Sequence, residues 1–411
     1  MSQATGILNA HRAPHARIVG VVSGAHFVSH YYIILLAPLL PFVRADYGVS
    51  YTEIGLAFAA FNVVSATLQT PAGFLVDRLG ARVPLIGGLL LGGAAFMTAG
   101  LVHSFWVLVA MFALAGLGNT VYHPADYAML SQTVSNKHIG QAFSVHTFAG
   151  MLGGAVAPPT LLMMHSLWGW RGAFVGAGML GFVMAAILLI VRDDGARGEA
   201  RQDSGKPQVA GAADGQGGAG WRMLLSGPVL LNLGFFTFLA MISGGIFNYS
   251  VVAFGALFAI PVTTANAALT AYLLLSAIGV LVGGLFVARV TNHGRVAALG
   301  LVAMAVLTAL VGTIHFGDVA LVAVMTVNGF FFGFIMPSRD MLVREVTPPG
   351  SFGKVFGFVT TGFNIGGVIS PLIFGALMDH GSPRWVFLLV AVCSLAAILT
   401  VAIRPRRPMV A

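Results

Sequence analysis

Twelve stretches of the chain are each long and apolar enough to cross a bilayer, and no other feature constrains its fold as tightly. They run over 18–43, 52–75, 83–103, 105–133, 138–164, 170–191, 223–254, 264–290, 296–315, 317–345, 351–378 and 384–403. About 20 apolar residues in a helix span the ~30 Å of bilayer hydrocarbon. Backbone polar groups inside that layer must be satisfied internally, so the stretches predict helices and an all-α integral membrane protein. Composition agrees. Of 411 residues, 57% are hydrophobic and 8% charged, with a mean hydropathy of +0.90; an ordinary soluble chain is roughly 25% charged. The start, MSQATGILNAHRAPHARIVG, lacks a small-residue cleavage site followed by a soluble domain, so the first apolar run reads as a retained helix. The single cysteine, Cys393, excludes an intrachain disulfide.

Charge sets the orientation. With the N-terminus placed in the cytoplasm, all but four of the 21 Lys and Arg residues fall on the cytoplasmic side. Arg44, Arg171 and Arg384 lie opposite, and Arg339 lies inside the tenth stretch. This bias predicts an inner, cytoplasmic membrane location with both termini cytoplasmic. The net charge of +8 therefore reflects topology rather than nucleic-acid binding. Residues 192–221 are rich in Gly, Ala and charge and cannot bury a core. The expected organisation is a tail at 1–17, a six-helix half at 18–191, a linker at 192–221, a second six-helix half at 222–403 and a basic tail at 404–411.

The halves repeat each other. An offset of 213 aligns Gly116 with Gly329, Pro124 with Pro337, Gly140 with Gly353, Phe143 with Phe356, Thr147 with Thr360, Gly153 with Gly366, Gly154 with Gly367 and Pro158 with Pro371. Six helices per half is an even number, so the repeat is parallel, with a pseudo-twofold along the membrane normal. Between the second and third stretches stands GFLVDRLGAR (73–82), and its counterpart in the second half is GLFVARVTNHGR (284–295). The first of these resembles the G-x-L-x-D-R-x-G-R-[RK] signature of the major facilitator superfamily, with Ala81 at a usually basic place. The resemblance implies a twelve-helix transporter in which Gly73, Asp77, Arg78, Gly80 and Arg82 form a conformational switch. Arg78 and Arg82 could pair with carboxylates or lipid headgroups.

Finer resemblances point two ways. GAHFVSHYYIILLAPLLP, VYHPADYAML and SVHTFAGMLGGAVAPP are similar to the fosmidomycin-resistance group of the superfamily. GMLGGAVAPP (150–159) resembles the glycine-rich fifth-helix motif of antiporters, although Ala157 stands where that motif has Gly. MFALAGLG (111–118) lacks the fourth-helix arginine usual in drug/proton antiporters.

Polar groups inside the apolar stretches mark the candidate site. His26, His30, His123 and His146 lie roughly 12–18 Å from the cytoplasmic helix ends, at ~1.5 Å per residue. His26 and His30 are spaced i, i+4 and share a face, as do His123 and Asp126 at i, i+3. Ionisable groups in membrane helices are costly and face the bundle interior, where transporters bind ions and substrates. Pro124 should loosen its helix near residue 120 by leaving that carbonyl without a donor. The repeat places Arg339 opposite Asp126; it could pair with Asp126, pair locally with Asp340, or grip an anionic substrate bidentately. The remaining polar lining is sparse and includes Tyr31, Tyr32, Tyr249 and Asn328.

Imidazoles also ligate Zn or Cu, but no cysteine, Cys-His spacing or second carboxylate accompanies these, so no metal and no cofactor is assigned. No glycine-framed serine, HExxH or phosphate loop suggests an enzyme. The expectation is a monomeric, proton-coupled secondary transporter whose partners are protons, a small-molecule substrate and the bilayer. Antiport that exports a small organic compound follows from the group resemblance. Proton-coupled uptake of an organic acid or siderophore, or metal transport by the histidines, stays open.

Overall fold

The computed structural model describes residues 2–135, 138–191, 223–287, 289–347 and 352–402, without the side chains of 2–15, 140 and 352–354. Lys137, the linker 192–221 and the basic tail 404–411 fall outside them. The regular elements among the described residues are all helices, with no strand among them.

Eleven helical stretches are long and apolar enough to cross a membrane. One of them, Gln141–Ile190, is 50 residues long and holds two spans. Gly169 breaks it with φ 70° and ψ 173°, a conformation that only glycine adopts readily. The described residues therefore hold twelve spans. The first is Ala16–Tyr47, the second Tyr51–Leu79, the third Arg82–Leu101 and the fourth Phe105–Thr133; the seventh to twelfth are Gly227–Phe258, Val262–Val287, His293–Thr313, Asp318–Val346, Val355–Asp379 and Arg384–Val401. The apolar run barely pauses between the third and fourth. There the side chain of Ser104 accepts from the Val107 amide (3.5 Å) and caps the fourth helix.

Polarity is distributed as lipid solvation requires. Asp126, Asn232 and Asn328 are wholly buried, while Leu101, Trp106, Leu285 and Val319 are exposed.

The repeated glycines turn out to be contact points. A Cβ on Gly116 would strike the backbone of Phe61 on the second span, and one on Gly329 would strike that of Tyr272 on the eighth. Likewise Gly153 abuts Phe27 on the first span, and Gly366 abuts Thr237 on the seventh. The same small residue thus permits the same close helix approach in each half.

The chain forms two compact units, Met1–Val49 with Ala60–Pro207, and Ser50–Ala59 with Gln208–Ala411. Residues 50–59 therefore pack in the second unit. There Asp379 accepts from the amides of Tyr51 (2.7 Å) and Thr52 (2.8 Å) and from the Thr52 hydroxyl (2.6 Å). The Tyr249 hydroxyl donates to the Pro371 carbonyl (2.7 Å), beside Gly55. Tyr249 ends a π-helical turn, Gly245–Tyr249, within the seventh span.

Candidate functional site

The fourth span is two helices, Phe105–Asn119 and Tyr122–Thr133. Pro124 has no amide hydrogen to offer the Thr120 carbonyl, and the chain loosens there as the sequence predicts. The Thr120 amide instead reaches back only three residues, to Leu117 (3.2 Å), and regular helix resumes with the Ala125 amide on Val121 (2.9 Å). The tenth span breaks in the same way at Ile335, between Asp318–Phe334 and Met336–Val346, just ahead of the equivalent Pro337. Discontinuous helices of this kind commonly flank transporter sites.

The restarted helix carries His123 and Asp126 on its first turns, beside the first and fifth spans. Asp126 is wholly buried, as are His26 (4% exposed) and His146 (1%). The Asp126 carboxylate lies 3.4 Å from Nδ1 of His26 and 3.7 Å from Nε2 of His146. The His26 and His146 rings stack at 3.9 Å between centroids. His30 and His123 stand 4.6 and 5.3 Å from the His26 ring. His30 is half-buried and His123 exposed, so the cluster leads from an accessible edge to a buried carboxylate. All five predicted residues of the first half come together.

Hydrogen bonding within the cluster is incomplete. Both oxygens of Asp126, both ring nitrogens of His146 and Nδ1 of His26 are buried without a hydrogen-bond partner among the described residues. An unmet buried polar atom costs about 1–3 kcal/mol, so packing alone gives no reason to keep these groups.

Two neighbours escape a reading of the sequence. Gly150 leaves the space His26 occupies: a Cβ there would strike the His26 ring and stand 3.0 Å from His30. Its signal is present in GMLGGAVAPP, where the glycines read as a family motif rather than as room for an imidazole. Tyr127 lies 6.1 Å from the His123 ring and 5.9 Å from that of His146, and its i, i+4 spacing from His123 is the available clue.

In the second half Arg339 takes the local option left open by the sequence. Its guanidinium pairs with Asp340 (2.8 Å) and lies over the rings of Phe236 (4.9 Å) and Phe363 (5.4 Å). Asp340 is about half exposed and Arg339 15% exposed.

Residues 22–258 and 233–410 match the family model of the Major Facilitator Superfamily. The chain belongs to the major facilitator superfamily. It is therefore a multi-span membrane transporter and not an enzyme. This major facilitator is 24% identical to the fosmidomycin resistance protein of Escherichia coli (strain K12) over 399 residues, covering 95% of the chain and 93% of that protein. It is 32% identical to the "Probable L-galactonate transporter" of the same strain over 143 residues; that match spans 35% of the chain and only 32% of the relative's length. Among solved structures, the nucleoside transporter NupG superposes with a TM-score of 0.73 at 13% identity, covering 94% of this chain and 99% of that one, a likeness of fold alone.

Two details of the major facilitator differ from the sequence reading. The second helix runs on to Leu79, past the expected end at 75, so Gly73, Asp77 and Arg78 ride its last turns. Gly80 (φ 78°) ends it in the left-handed conformation that suits a helix C-terminus. Arg82 bonds the Leu188 and Val191 carbonyls at the end of the sixth span, where a cation meets the helix dipole. Asp77 and Arg78 are exposed. The expected polar lining is also partly structural. Tyr31 bonds Thr160 (2.8 Å), Tyr32 donates to the Gly178 carbonyl (3.2 Å) and Asn328 donates to Thr308 (2.8 Å). These side chains pin helices together.

Proposed function

We propose that this transporter is proton-coupled, with His26, His30, His123, Asp126 and His146 as its proton site, and that it exports a small organic anion by antiport. One observation carries the reading: a wholly buried carboxylate whose nearest ionisable partners are two imidazoles, with no hydrogen bond to either. An ionised carboxylate in that place needs an imidazolium beside it or a proton upon it. Histidine is the side chain whose charge changes most readily near neutral pH. The gradation from exposed His123 to buried Asp126 supplies a path for the proton.

The resistance function in the name of the fosmidomycin resistance protein favours export. The organic acid in the name of the probable L-galactonate transporter, together with Arg339 over two aromatic rings, favours an anionic cargo. The same cargo supports a second reading, proton-coupled uptake. The proposed setting is the inner membrane, as a monomer, with both termini cytoplasmic according to the arginine and lysine bias.

Purified protein in liposomes under an imposed pH gradient tests both. With candidate anions such as L-galactonate and fosmidomycin outside, antiport predicts accumulation when the lumen is acid. Accumulation driven by an acid exterior would establish symport instead, and transport indifferent to the gradient would exclude proton coupling.

The proposed switch role of Asp77 rests on its motif and its exposed place on the last turn of the second helix. Asp77→Asn is expected to slow turnover roughly tenfold, as loss of a conformational step does, with equilibrium substrate affinity nearly unchanged. Wild-type turnover in that variant would remove Asp77 from the switch.

A further inference from the structure

His26, Asp126 and His146 each offer one donor atom, and the three atoms lie within 4.8 Å of one another. Ligands arranged tetrahedrally at 2.0–2.1 Å from a zinc ion are roughly 3.4 Å apart. The two carboxylate–imidazole separations, 3.4 and 3.7 Å, already stand close to that spacing. We propose that this cluster is a binding site for a divalent transition-metal ion of the zinc class, held by His26, Asp126 and His146, with His30 or His123 as the fourth donor.

The unmet atoms suit a metal as well as a proton. One proton bridges two heavy atoms. Shared between Asp126 and one imidazole, it would leave three of the five unmet atoms without partners, those five being both Asp126 oxygens, both His146 nitrogens and Nδ1 of His26. A divalent ion engages three or four lone pairs at once, and its charge offsets that of the buried carboxylate. The donor set selects the ion. Imidazole nitrogens with one carboxylate suit Zn, Co, Ni or Cu; hard ions such as Mg and Ca favour all-oxygen sites, and no thiolate is present to prefer a softer ion. The sequence alone argues against a metal because no cysteine or second carboxylate lies near. Folding supplies the missing donors as imidazoles from three separate spans. Gly150, by leaving room for the His26 ring, is what allows that ring to face the carboxylate.

The site coincides with the proposed proton site but does not depend on proton coupling, because metal binding is an equilibrium property read without transport. The test titrates Co²⁺ into tag-free, full-length protein in detergent, following the visible absorption of tetrahedral cobalt, and then adds Zn²⁺. The expected result is one cobalt per chain, an intense visible band, and loss of that band as zinc displaces cobalt. Asp126→Asn and His146→Gln keep side-chain size, and each should weaken cobalt binding by more than the roughly 10–100-fold that loss of an outer-shell partner costs. His30→Gln, which alters a partly accessible ring, provides a variant less exposed to folding failure; it should change the band shape or weaken binding if His30 is the fourth donor, and His123→Gln should do so otherwise. Absence of the band in wild-type protein, or an unchanged titration in both Asp126→Asn and His146→Gln, would overturn the proposal. Failure here with intact pH-driven transport would leave the proton site standing, and cobalt binding without proton coupling would leave the metal site standing alone.

Discussion

Liposomes carrying Asp126→Asn protein are expected to show no pH-driven accumulation above protein-free vesicles, while exchange of labelled for unlabelled substrate at equal pH continues. An amide has the shape and nearly the volume of the carboxylate but no proton to give up. Asp126 is wholly buried, and the imidazoles of His26 and His146 face it at 3.4 and 3.7 Å. Its ionised form must be matched by a positive ring or cancelled by a proton before apolar surroundings can close around it. Asparagine removes that condition. The cycle can then turn with substrate bound on both passages, but a proton gradient has nothing to act on. Both assays use one vesicle preparation, so poor insertion of the variant would depress exchange as well. Accumulation that persists in the Asp126→Asn protein would locate the proton elsewhere and return His123 and His146 to packing roles.

Replacement of Arg339 should act on the cargo rather than the proton. Arg339→Ala is expected to weaken binding of an anionic substrate by about 2–5 kcal/mol, at least roughly 30-fold, the usual cost of deleting one partner of a desolvated charge pair. The guanidinium is 15% exposed over Phe236 and Phe363, where water screens it little. Asp340 occupies part of its hydrogen-bonding fork. An anion must share or displace that carboxylate, so Asp340→Asn should tighten substrate binding. Isothermal titration with both variants decides the matter. Equal affinity in wild type and Arg339→Ala would assign the arginine to local structure, paired to Asp340 and nothing more.

Much of this molecule can be read before it is folded, for identifiable reasons. Membrane spans are legible because hydrocarbon permits one backbone solution, and the break near residue 120 is legible because Pro124 lacks a hydrogen. The glycine register carries further than a repeat normally does: Gly116 and Gly329, matched by spacing alone, press on equivalent backbones at Phe61 and Tyr272. The histidines can be placed at one depth from helix rise, but depth says nothing of rotation about a helix axis. Only tertiary packing brings the His26 and His146 rings onto one carboxylate. Charged side chains at helix ends are the least legible. Arg82 has two kinds of acidic partner open to it in sequence and bonds carbonyls, since any helix C-terminus offers unpaired oxygens that leave no trace in composition. Arg339 has three candidate partners, and the adjacent Asp340 requires the least chain ordering.

The capture of residues 50–59 by the second compact unit bears on how the protein is made. Synthesis delivers this short piece to the membrane long before the remainder of that unit, which begins at Gln208. The two amides and the hydroxyl that Asp379 will accept from must therefore wait, with the start of their helix unpartnered, until the ribosome is nearly finished. The C-terminal six helices, released by themselves from a split gene, would lack an internal component rather than a neighbour. Co-expression of the two fragments would restore it only by handing those ten residues across, so the seam of assembly in this chain does not coincide with the linker in its sequence.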